Sequence, residues 1–239
     1  MNTDVYPVIE VQPEWVLEQE QMGSKDKFWY RETGTGHMDW LFKYPKPGTG
    51  QHWSEKVAAE IASHMKVRHA PVELAVFQGH RGSTTESFAR DGRNLFHGNQ
   101  VLAGCVLGYD TEATFRHSSH TLANIWQALE KAFFSDSAQH RAKLAMAEYL
   151  MLDALIGNVD RHHENWGLLR KLVKEQWQGF IAPSFDHASS MGRELLDERR
   201  ALLLKEQRVE LTRRTGVAGF IGLRMRNAAR ARWRWCDKR

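Results

Sequence analysis

Between Tyr6 and Tyr44 apolar residues come in short runs separated by glycine and polar clusters, the pattern of strands and turns. It predicts three strands, Val8–Val11 or residues 15–17 first, then Lys27–Arg31, then residues 39–44, arranged as an antiparallel meander. Gly23-Ser24 and Thr33-Gly34-Thr35-Gly36 supply the connections, because glycine reaches the positive φ that tight turns use. Pro45, Pro47, Gly48 and Gly50 end the third strand. The period then changes. Val57, Ala58, Ile61, Ala62 and Met65 recur at helical spacing, predicting a helix over residues 54–65 with Ser54 as its N-cap. At 100° per residue Glu55 lies about 80° from the centre of this stripe and Glu60 about 140°, so Glu55 reaches inward while Glu60 faces water. Val72–Phe77 and residues 84–88 read as two more strands joined through Gly79-His80-Arg81-Gly82, and residues 100–107 as a further one.

The second half is mainly helical. Residues 121–134 and 138–156 carry helical patterns, and the second is apolar around most of its circumference near its end, which predicts a buried helix. Gly157-Asn158 is a fitting C-terminal cap and releases a polar loop that runs to Asn165. Two short strands, 166–169 and 179–185, flank a charged connection, so a hairpin would return Asp186 to the side of that loop.

Composition narrows the classes. With 239 residues, 42% hydrophobic and 26% charged, the chain is neither disordered nor collagen-like. Two distant cysteines, Cys105 and Cys236, imply no disulfide framework and no zinc ribbon, so a cytoplasmic setting is expected. The most apolar stretch, residues 144–157, is too short to span a bilayer and contains Glu148 and Asp153, and the first ten residues lack a signal-peptide pattern; no membrane association is expected. The net charge of +4 misleads, since residues 213–239 hold nine Lys/Arg and one acid, leaving 24 basic and 28 acidic residues before them. Nucleic acid is therefore an expected partner only through that basic tail. Trp15, Trp29, Trp40 and Trp53 are read as core residues rather than as a base-stacking platform.

Chemistry concentrates after the buried helix. Asp160 and Asn165 form D-x4-N, and Asp186 follows a predicted strand 26 residues beyond Asp160. Phosphoryl transfer needs a carboxylate to orient or deprotonate the acceptor hydroxyl and further oxygen ligands to hold magnesium against ATP phosphates, and these three residues supply them. Taken singly, Asp160 and Asn165 could equally cap a turn. Lys43, in WLFKYP, is a cation on an apolar strand that can point into a cleft, and Glu55 can hold it by an ion pair from the next helix. Alone, that lysine would read as snorkelling from a sheet edge. Gly23-Ser24-Lys25 falls where backbone amides could cover phosphates. His162 and His163, beside Asp160 and Glu164, also invite a metal-hydrolase reading, although adjacent histidines point apart and no H-x3-H pair completes the site.

These residues resemble the HipA-like kinases, bacterial relatives of the protein kinase and phosphatidylinositol kinase folds. The resemblance covers residues 20–195 and rests on GSKDKFWY, WLFKYP, GNVDRHHENWGLL and FDHASSMG. It implies a bilobal α+β protein-kinase-like fold, with an antiparallel sheet and helix as N-lobe over residues 1–110, a mainly helical C-lobe over 111–212, and the basic tail 213–239. It implies ATP and magnesium as cofactors. Asp160 would be the catalytic base, His162 a nucleotide or loop-supporting residue, Asn165 and Asp186 the magnesium ligands, and Lys43 the phosphate lysine. Gly23, Ser24 and Lys25 would cover the phosphates, Glu86 and Phe88 would form the hinge beside adenine, and Phe185 would pack on the purine. Ser24 would be an inhibitory autophosphorylation site, since phosphate there adds about two negative charges where ATP phosphates bind. Family members are serine/threonine kinases, and the best known phosphorylate an aminoacyl-tRNA synthetase as the toxin of a toxin–antitoxin pair. A protein substrate in translation and a small antitoxin-like partner are thus implied. Two departures matter: the extra N-terminal subdomain of longer members is absent, and residues 211–239 are glycine-spotted and arginine-rich where packed helices are expected, which points to a truncated C-lobe. An inactive kinase-fold binding module and a lipid or small-molecule kinase stand as alternatives.

Overall fold

In the computed structural model of the chain the described residues are 6–19, 27–34, 38–112, 118–158, 160–192, 201–202 and 204–206. Residues 8–86 build a sheet of β1 (Val8–Val11), β2 (Val16–Gln19), β3 (Lys27–Arg31), β4 (Asp39–Lys43), β5 (Val72–Phe77) and β6 (His80–Glu86), in the order β1-β5-β6-β4-β3-β2. Both candidates for the first strand form, separated by one 3-10 turn at Pro13–Trp15. β2, β3 and β4 make the expected meander, but β1 leaves it and pairs parallel with β5, Val8 opposite Leu74.

Alternation decides which side chains face the cleft. Val11, Phe28, Tyr30, Phe42 and Ala75 form an apolar cluster on one face, where Phe28 and Phe42, paired across β3 and β4, stack at 4.9 Å. Lys43, the next residue after Phe42, therefore leaves by the opposite face. The register puts Leu41 opposite Thr85 and Lys43 opposite Ser83, so these four share that face.

α1 (Gln51–His64) packs against β5 and β6. It starts earlier than residue 54, with Gly50 as N-cap, where any Cβ would lie 1.9 Å from the Trp53 indole nitrogen. Ser54 sits buried inside the first turn, and its hydroxyl donates to the Ser190 carbonyl at 2.9 Å. The buried face is also rotated from the apolar stripe. Val57 and Met65 are exposed, while Glu55, Ala58, Ala59 and Ala62 are buried, and Ala58 and Ala62 join the apolar cluster built around α3 and α4, because small side chains let elements approach closely.

The second part holds β7 (Asn94–His97), α2 (Gly98–Ala103), α3 (Leu122–Ala132), α4 (Asp136–Ile156), β8 (Gly167–Val173) and β9 (Gln176–Ile181), with a β7-β8-β9 sheet. Residues 100–107, expected as a strand, give the end of α2 instead. The Gln100 side chain accepts from the His97 N–H at 2.9 Å, which caps a helix there. β7 and α2 fall within the stretch expected for the first lobe, yet they pair with β8 and pack on the helical core. Thr121 and Ser135 cap α3 and α4, accepting from Asn124 N and Ala138 N at 3.2 and 3.3 Å.

α4 ends at Gly157, whose φ of 65° is the left-handed cap that the Gly-Asn pair predicts. It is not buried all round. Leu152, Asp153 and Ile156 are enclosed, whereas Met151 and Leu155 are 65% and 63% exposed. The hairpin after it is longer than residues 166–169 and 179–185, because Lys174 and Glu175, with φ of 48° and 64°, form a two-residue turn that matches strand twist.

Candidate active site

Four segments converge: β4 with Lys43, α1 with Glu55, the loop after α4, and the segment after β9. Lys43 Nζ lies 3.3 Å from Asp186 Oδ1, both partly buried. Asp186 holds a φ of 58°, in the left-handed region that a branched side chain would resist but aspartate tolerates. Glu55 also reaches this segment one residue further on, its Oε1 accepting from the His187 N–H at 2.8 Å. Strand lysine and helix carboxylate thus act on consecutive residues, which fixes the backbone that presents Asp186.

The loop is held as firmly. Asp160 O accepts from Asn165 Nδ2 at 2.6 Å and from His162 N at 2.9 Å, and Asp160 N donates to Asn158 Oδ1 at 3.2 Å. Since a carbonyl only accepts, the amide nitrogen of Asn165 must face Asp160 O, which leaves its Oδ1 without a hydrogen bond among the described residues. Asp160 Oδ2 accepts from Ser189 Oγ at 3.2 Å, and Oδ1 carries no hydrogen bond among the described residues.

Arg161 ties loop to segment. It is buried and grips Asp153 of α4 through two bonds of 2.8 Å, while Nη1 donates to the carbonyls of Asn165 at 2.5 Å and Phe185 at 3.1 Å, and Nη2 to Ser184 Oγ at 3.0 Å. Burial works against its charge, but Asp153 and, more distantly, Asp186 outweigh that and hold the guanidinium pKa above its usual value. One nitrogen therefore bridges Asn165 and Phe185, the residue before Asp186. Ser184 Oγ also meets His187 Nε2 at 2.7 Å, and burial, followed by the positive charge of Arg161, keeps the His187 pKa well below the usual imidazole range.

His162 is half-buried, its Nδ1 accepting from Glu164 N at 3.3 Å. His163 points the other way, buried with Nδ1 2.9 Å from Tyr109 Oη, so the two rings serve different neighbours. Among the described residues no group of three or more His, Cys, Asp or Glu is placed to hold a metal by itself. At the cleft's other wall, Phe88 and Phe185 lie 5.2 Å apart and His97 meets Phe185 edge-on at 6.2 Å. The Glu86 N–H is taken by Pro71 O and that of Ser87 by Asp39 O, so neither is open to a ligand. Gly23, Ser24, Lys25 and the tail 213–239 lie outside the described residues.

Sequence reasoning missed Arg161, Ser189 and Thr85. An aspartate inside an apolar helix was a usable signal for the first, because buried Asp153 requires a partner. Thr85, 8% exposed on the face that carries Lys43, has a buried Oγ1 with no hydrogen-bond partner among the described residues.

Two lobes, one a curled sheet with a single helix and the other mainly helical, with a lysine strand, a D-x4-N loop and an acidic segment between them, define an α+β kinase-like fold. The chain belongs to the HipA-like C-terminal domain family, whose model matches residues 17–235. Among solved structures it is similar to the Helicobacter pylori proinflammatory kinase CtkA, with a TM-score of 0.64 and 20% identity over 83% of this chain and 66% of that one. It is also similar to HipA of Shewanella oneidensis MR-1, from a complex of the toxin–antitoxin system with HipB and operator DNA, with a TM-score of 0.44 and 12% identity over 88% and 57% of the two chains. The chain thus spans two thirds or less of each. No curated protein matches it. No helix among the described residues is long and apolar enough to cross a membrane.

Proposed function

We propose that this chain transfers the γ-phosphoryl group of ATP, with magnesium, to a serine or threonine hydroxyl of a protein. The observation that carries the reading is the joint placement of Lys43 on Asp186 and of Asp160 with one carboxylate oxygen open. The residues fit the groups invoked. Asn165 Oδ1 and the Asp186 carboxylate are hard oxygen donors of the kind magnesium prefers, and Thr85 Oγ1 is a buried hydroxyl awaiting a polar partner on the nucleotide side of the sheet. Bound magnesium would neutralise phosphate charge.

In this reading Asp160 accepts the acceptor's hydroxyl hydrogen through Oδ1 and aligns its oxygen with the phosphorus. Lys43 would exchange its contact with Asp186 for ATP phosphate oxygens, and Asp186 and Asn165 would hold the metal. Phe88 and Phe185 supply an apolar slot for the base. The protein acceptor follows from the resemblance to serine/threonine kinases.

Asp160→Asn is expected to lower turnover by about 10²–10⁴-fold while ATP affinity stays near that of the unchanged chain. Asp186→Asn is expected to weaken magnesium-dependent ATP binding as well. Radiolabel transfer from γ-labelled ATP and calorimetric ATP titration with and without magnesium check both; equal turnover in Asp160→Asn and the unchanged chain would defeat the assignment.

A further inference from the structure

We propose that Ser189 is a positioning residue for this transfer, its hydroxyl holding one oxygen of Asp160 so that the other faces the acceptor; this rests on the kinase reading above. The main chain of Asp160 is fixed on both sides, by Asn158 Oδ1 on its N–H and by Asn165 and His162 on its carbonyl. What remains free is the side chain. Its restraint among the described residues is the Ser189 hydroxyl, 3.2 Å from Oδ2.

Ser189 is itself immobilised. Two residues before it, the His187 N–H is held by Glu55; one residue after it, the Ser190 carbonyl accepts from Ser54 Oγ; and the Met191 N–H donates to Ile156 O at 2.8 Å. Two side chains of α1 and the last turn of α4 therefore set where the hydroxyl stands, and Ser189 is buried, so water does not replace it cheaply. A base whose carboxylate rotates must find its productive orientation in each turnover. One that is bonded at Oδ2 already presents Oδ1, an arrangement that lowers the barrier without adding affinity for ATP.

The test compares the full chain, Ser189→Ala, Ser189→Thr and Asp160→Asn, measuring radiolabel transfer from γ-labelled ATP to dephosphorylated casein and to the chain itself. Ser189→Ala is expected to lose about tenfold or more in kcat with KM for ATP within about twofold, and Ser189→Thr, which keeps the donor, to recover most of the loss. Ser189→Ala with unchanged kcat beside an inactive Asp160→Asn overturns the positioning role and leaves the kinase reading intact. A raised KM with unchanged kcat, or a melting temperature that falls in Ser189→Ala while Ser189→Thr restores nothing, also overturns it, since the hydroxyl then serves only packing. No transfer by the unchanged chain removes both.

Discussion

Arg161 concentrates more of the candidate site's geometry than any residue proposed to act on substrate. Its five donors reach a helix carboxylate, two carbonyls and a hydroxyl from three segments, which a lysine could not imitate. Arg161→Met is expected to cost about 3–5 kcal/mol, because Asp153 is then buried without its cation. Adding Asp153→Leu should return part of that stability but not activity, since the Asn165 and Phe185 carbonyls stay unheld; urea unfolding read beside turnover separates the two. Tyr149 behaves more simply. Burial pushes its phenol up to about 12, so it keeps its proton and its 2.9 Å bond to Ala182 O, and Tyr149→Phe is expected to cost about 1 kcal/mol by the same unfolding measurement. That Lys43 meets Asp186 and Asp160 meets Asn165 was legible in the sequence, because the proposed chemistry asks for those types at those spacings. Ser189, Thr85 and the bond from the His187 N–H to Glu55 were not, because each is defined by a contact between segments far apart in the chain.

At the scale of elements, local chemistry dictated ends better than faces. Gly157 and the caps of α3 and α4 stand where the residues ask for them, whereas α1 turned so that its alanines and Glu55, not Val57 and Met65, are buried, Ala58 and Ala62 against the core of the second lobe. That rotation was invisible because hydrophobic periodicity ranks valine above alanine and knows nothing of how close a second lobe can come. Residues 100–107 failed for a similar reason: β-branched and apolar composition suggested a strand, while Gly98, its backbone pressed on Trp166 and His163, starts a helix. Gly98→Ala should expose this. Its Cβ would fall 2.5 Å from His163 O, in the loop that carries Asp160, so circular dichroism should show a lower melting temperature and the residual folded protein a lower turnover. Gly157→Ala, with a positive φ but open space around the Cβ, is expected to cost only about 1 kcal/mol and to leave turnover unchanged.

Across the whole molecule, the lobes are joined at the segment that carries the acid. Ser184 exchanges backbone bonds with Arg68 and Ala70, Glu55 and Ser54 hold His187 and Ser190, and Lys43 reaches Asp186. The first lobe therefore positions the segment that carries Asp186, and phosphoryl transfer across that junction is the proposed reaction. Its most direct test is the time course of label transfer from γ-labelled ATP to protein serine or threonine, with and without magnesium, for the unchanged chain and Asp160→Asn. Magnesium-dependent transfer that disappears in Asp160→Asn while ATP still binds is the predicted result; an unchanged chain that binds ATP with magnesium yet transfers nothing, or an Asp160→Asn chain as fast as the unchanged one, contradicts it.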